Sequence, residues 1–139
     1  MQYGYYDASN WKHAGRIDMI VETWSDVLGA AAKILMFTPE HEKAAAMVAF
    51  RDGLCDKFLM MIEKQLDDNQ LEKFLVGDRI TIADFVVASF TFNILLNPQN
   101  PLKPILEPIL LEYPHFDGYY KRLRNETKKH LDKRHVAAF

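Results

Sequence analysis

Residues 75–93 read LVGDRITIADFVVASFTFN, and the fold of the chain turns on how this stretch is read. A polar loop, Gly77-Asp78-Arg79, leads into Thr81, and a nearly unbroken apolar segment follows. Thr81 and Asp84 have the spacing of a capping box, in which an N-cap hydroxyl and a carboxylate three residues on each accept from the other's free backbone N–H. Ile80 just before the cap and Phe85 at the fourth helical position have the spacing of the accompanying hydrophobic staple. Beyond the cap, Val86, Val87, Ala88, Phe90, Phe92, Ile94 and Leu95 leave almost no polar face. A helix that is apolar all round belongs at the centre of a domain. The stretch therefore predicts a central buried helix starting at Thr81.

The rest of the chain supplies what surrounds such a helix. Upstream, Ile17, Ile20, Val21, Trp24, Leu28, Ala31 and Leu35 recur at helical spacing. A second face of this helix carries Met19, Glu22, Thr23, Asp26 and Ala30, a mixture that need not be core. Residues 1–15, with three tyrosines, one tryptophan and two glycines but no periodicity, read as a connecting segment. Thr38-Pro39-Glu40 resembles an N-cap followed by proline in the first helical turn. It opens a helix expected to run to Asp68, roughly 45 Å at 1.5 Å per residue. Met47, Leu54, Cys55, Phe58, Leu59, Ile62 and Leu66 form its apolar stripe.

Downstream, prolines at 98, 101, 104 and 108 argue against a long regular helix, leaving room for a short one near 105–112. Tyr113-Pro114 restarts the chain with Phe116, Tyr119, Tyr120 and Leu123 on one side, and a basic helix is expected over 125–134. No segment alternates as a strand does, so the fold class is all-α, with residues 16–139 forming one helical domain.

Composition narrows function by exclusion. The chain has 139 residues, 49% of them apolar and 26% charged, which is globular. Its net charge of −2 predicts no general attraction to nucleic acid or to membranes. The charge is uneven, however: residues 121–135 carry a balance of +5 and residues 1–120 a balance of −7. The basic run contains two acids and no aromatic platform, and reads as a solvated helix face. A single cysteine, Cys55, excludes an internal disulfide and suits a reducing, cytoplasmic setting. Neither a membrane span nor a secretory signal is expected.

No catalytic constellation emerges from the residues themselves. The five histidines form no ligand pair with a nearby acid, so no metal site is expected. Cys55 lies in an apolar stripe, where a thiol behaves as a small hydrophobe. Two polar signals remain: Thr23 and Asp26 on the uncommitted face of the first helix, and Arg51 on the Met47/Leu54 side of the second, where a charge needs a partner or a cleft.

Four segments, in order, resemble one family. FLVGDRITIADFVV (74–87) is similar to the glycine–acid loop and Ser/Thr-x-x-Asp box of glutathione S-transferases. GYYDASNWKHAGRIDMIVETWSDV (4–27) resembles the start of the C-terminal domain in sigma-like classes. EYPHFDGYYKRLRN (112–125) and KKHLDKR (128–134) resemble two later helical segments of that domain. Two departures stand out: the proline-rich 97–108 segment is longer than in many classes, and Glu126-Thr127 stand where a proline commonly opens the last helix.

The resemblance implies an all-helical C-terminal domain that works with a preceding thioredoxin-like domain, which supplies the thiol-activating residue and most of the glutathione site. Met1 falls where relatives finish that preceding domain, implying a fragment, a split gene product or a truncated paralogue. Tyr3, Tyr5 and Tyr6 then belong to the junction, and no catalytic residue is expected in this chain. Asp26 matches the acid that approaches the γ-glutamyl amine of glutathione bound to the neighbouring subunit of a homodimer. Leu28, Ala32, Phe37 and Phe139 are the implied wall of the pocket for a hydrophobic electrophile, and glutathione is the implied co-substrate. The alternative is a non-catalytic helical interaction or dimerisation module.

Overall fold

The computed structural model describes residues 4–70 and 73–133. All regular structure among them is helical. The first helix, α1 (Trp11–Phe37), begins earlier than the apolar periodicity suggested, so residues 11–15 are helical and not connector. The signal is local: the Asn10 side chain accepts from the His13 N–H at 3.2 Å, which satisfies one of the free amides of the first turn. Ile17, Ile20, Val27, Ala31 and Leu35 form the buried face of α1, flanked by the partly buried Val21, Trp24 and Leu28.

The expected second helix is interrupted without being broken. α2 (Glu40–Phe50) passes through a π-helical turn (Arg51–Cys55) into α3 (Asp56–Asp68). Pro39 occupies the cap position, one place earlier than its expected first-turn role. Each π turn inserts a residue and rotates the side chains that follow. Met47, Cys55, Phe58, Leu59, Ile62 and Leu66 are buried as expected, whereas Leu54 within the turn is left 36% exposed. Arg51 finds its partners inside the chain. Its Nε donates to Asp52 at 2.6 Å and its Nη1 to the Ile105 carbonyl at 3.2 Å.

α4 (Ile82–Phe90), prolonged by a second π turn (Thr91–Leu95), runs through the core as expected. It packs on α1, and its Phe90 meets Phe58 of α3 edge to face at 5.5 Å between centroids. One side stays open: Phe85 is 39% exposed and its ring stands edge-on to Tyr5 at 5.2 Å. This helix start is covered by the junction segment, whose Tyr5 carbonyl accepts from the Ile82 N–H at 3.1 Å.

The capping box forms, and its acid does more than cap. Asp84 is fully buried. Its Oδ2 accepts from the Thr81 N–H at 2.7 Å and from the Thr81 hydroxyl at 3.0 Å. Its Oδ1 accepts from the Leu75 N–H at 3.0 Å and from the Tyr119 hydroxyl at 2.8 Å. The loop that precedes the cap is held from α3, where Gln65 donates to the Leu75 carbonyl and Asn69 to those of Phe74 and Gly77. Gly77 has φ +71, and a Cβ there would sit 3.1 Å from the His13 ring, so the turn requires glycine on two counts.

The proline-rich segment closes through Asn97 and Asn100, both buried, whose side chains accept from the N–H groups of Gln99 and Leu102. A short α5 (Lys103–Leu106) and a 3-10 turn (Glu107–Glu112) follow. The last helix, α6 (Pro114–Leu131), is single where two segments were expected. Nothing at Asn125-Glu126-Thr127 breaks it, and the Thr127 hydroxyl bonds back to the Leu123 carbonyl at 2.8 Å. Its start is capped from another helix: Glu63 on α3 accepts from the His115 and Phe116 N–H groups at 3.0 and 2.8 Å. Beside it, the Tyr113 hydroxyl donates to Asp56 at 2.5 Å.

Two stability measurements follow from the Asp84 network. Asp84→Ala leaves the Leu75 and Thr81 amides and the Tyr119 hydroxyl without their acceptor. At about 1–3 kcal/mol for each buried orphan, a loss of at least about 3 kcal/mol is expected in urea denaturation; an unshifted midpoint would contradict it.

Burial pushes the Asp84 carboxyl up from its ordinary 3.8, against the opposing pull of its hydrogen bonds from Leu75, Thr81 and Tyr119. The folded chain thus holds this proton more tightly than the unfolded chain does. Between 3.8 and the raised folded value, stability from this group is gained as pH falls and lost as pH rises. The stability gap between the wild type and Asp84→Asn should therefore widen as pH falls from neutral toward 3.8. A gap that narrows over that interval would refute the sign.

Candidate functional site

The candidate site is the outward side of α1, and helix geometry decides which residues can share it. At 100° per residue, Asp26 and Leu28 point about 160° apart, and Asp26 and Ala32 about 120° apart. Leu28 and Ala32 are half-buried at the margin of the core, while Asp26 is exposed on the far side with Met19 and Glu22. Phe37 returns to within about 20° of Asp26, three turns and roughly 17 Å further along. It is 76% exposed. The helix therefore does not gather Leu28, Ala32 and Phe37 into one wall. Phe139 lies outside the described residues.

Asp26 makes no ion pair or side-chain hydrogen bond among the described residues, and so has its full acceptor capacity available. Thr23 does not share that freedom, because its hydroxyl donates to the Met19 carbonyl one turn back at 2.8 Å. Of the two polar residues expected on the uncommitted face, Asp26 is exposed and Thr23 is half-buried. Apolar side chains are also exposed on several elements. Met19 and Met36 join Phe37 on α1, and Val48, Leu54 and Met60 are exposed on α2, the π turn and α3.

The other groups weighed from the sequence are spent within the fold. Tyr6 donates to Asp18 at 2.9 Å, and that hydrogen bond, followed by desolvation, pushes its phenol above the usual value. A phenol held in its neutral form in this way ties the junction to α1. Tyr5 lends its carbonyl to α4 and its ring to Phe85, and Tyr3 lies outside the described residues. Burial, with Asp56 nearby, pushes the Cys55 thiol up to about 12, far from the thiolate a nucleophile needs. Among the described residues no three His, Cys, Asp or Glu side chains converge on a point where a metal ion could sit. Nor is any described helix long and apolar enough to cross a membrane.

One concavity lay outside the sequence reading. A cavity of about 280 Å3 opens between α4 and the end of α6, lined by Phe85, Ala88, Ser89, Phe92, Thr127 and Leu131 among others. The apolar spacing of α4 was read wholly as core, so the opening of one side of that helix carried no sequence signal. Tyr119 and Glu63 were missed in a similar way: a tyrosine on an apolar face and a glutamate on a polar one give no hint of the distant partners they meet.

A helical domain built round a capped central helix, with an uncommitted acid on its first helix, is the class of protein that these features define. A family model described as the glutathione S-transferase C-terminal domain matches residues 25–134. The chain belongs to that family. Searches among curated proteins and among solved structures gave no match.

The exposure of Asp26 carries a direct expectation. A surface side chain without partners contributes within about 0.5 kcal/mol to stability. Asp26→Ala should therefore unfold at the same urea midpoint as the wild type; a clear shift would show that the carboxylate serves the fold.

Proposed function

We propose that this chain is the C-terminal half of a sigma-like glutathione transferase, acting with a thioredoxin-like domain in a cytoplasmic homodimer. The observation that carries the reading is Asp26, an exposed carboxylate with no structural employment on the outer face of α1. The γ-glutamyl end of glutathione bears an ammonium group, and a charge-assisted hydrogen bond to a free carboxylate suits it. On this reading Asp26 serves the glutathione held by the partner subunit. That assignment agrees with its pointing away from the half-buried Leu28 and Ala32, which would line the subunit's own electrophile pocket. Phe37, so distant around the helix from those two, fits better beside the interface than in the pocket wall.

The reaction proposed is conjugation. The glutathione thiolate attacks an apolar electrophile, a sulfur–carbon bond forms, and the leaving group departs with the displaced electron pair. This chain contributes the anchoring carboxylate, part of an apolar wall and the interface. The exposed Met36, Phe37, Val48 and Met60 supply apolar surface for a second copy. The same surface supports a second reading, a non-catalytic dimerisation or docking module; a glutathione contact at Asp26 discriminates between the two.

In a dimer of the chain joined to its thioredoxin-like domain, Asp26→Ala should weaken glutathione binding about tenfold, equivalent to about 1.4 kcal/mol. Calorimetric affinity that is unchanged would make Asp26 a bystander and favour the docking module. The isolated 139-residue chain should show no conjugation of an aryl halide above the uncatalysed rate. Robust turnover would place the thiol-activating group within it and overturn the proposed division of labour.

A further inference from the structure

We draw no further inference here: the strongest candidate, the open groove beside the 3-10 turn where Leu111 stands exposed near Pro104, Pro108 and Tyr120, carries nothing because its acids Glu107 and Asp117 are already paired with Lys103 and Lys121 and nothing in the structure shows what covers it.

Discussion

One buried carboxylate ties together a loop, a helix start and the last helix, which also share the apolar core. Asp84 sits at the start of α4 without exposure to solvent and accepts four hydrogen bonds from three places: the loop at Leu75, the cap at Thr81 and the last helix at Tyr119. Burying such a group is costly unless its lone pairs are filled. Here they are filled by donors that would themselves be buried orphans in its absence. The cost and the compensation are therefore set by one geometry, and that geometry exists only when loop, α4 and α6 are all in place. This shared dependence makes folding of the domain cooperative around a point some 35 residues from the far end of the network.

The remaining ties repeat the same device at lower stakes. Glu63 on α3 caps α6 across the gap between them, and Asp56, one residue after the π turn, receives the Tyr113 hydroxyl. Arg51 within that turn reaches the Ile105 carbonyl. Side chains of the long second helix thus hold the chain at Ile105, at Tyr113 and at the start of α6, on either side of the last proline-rich turn.

What could be read from the sequence divides along the range of the interaction. The capping box and the apolar periodicity of α1 and α3 rest on residues a few positions apart, and each corresponds to a feature of the structure. The exposure of Leu54 and the partners of Arg51 depended on a π turn, which has no periodic signature of its own. Tyr119 was placed on the right face of α6, but its bond to Asp84 spans 35 positions. Spacing cannot reveal that. α6 is continuous where two segments are expected, because the basic composition of its second half resembles a separate element. At the site, Asp26 stood out as an acid on an uncommitted face and is found there. Leu28, Ala32 and Phe37 are grouped by resemblance, and the angular arithmetic of the helix keeps Leu28 and Ala32 together while setting Phe37 on the far side.

The central claim is that Asp84 couples the 75–81 loop to α6, and amide exchange in the Tyr119→Phe variant tests it most directly. The substitution removes one hydroxyl on α6 and touches neither Leu75 nor Thr81. If the carboxylate links them, the Leu75 and Thr81 amides should exchange about tenfold faster, equivalent to about 1.4 kcal/mol, together with the first turns of α6. Unchanged protection of both amides, with faster exchange confined to α6, would contradict the account.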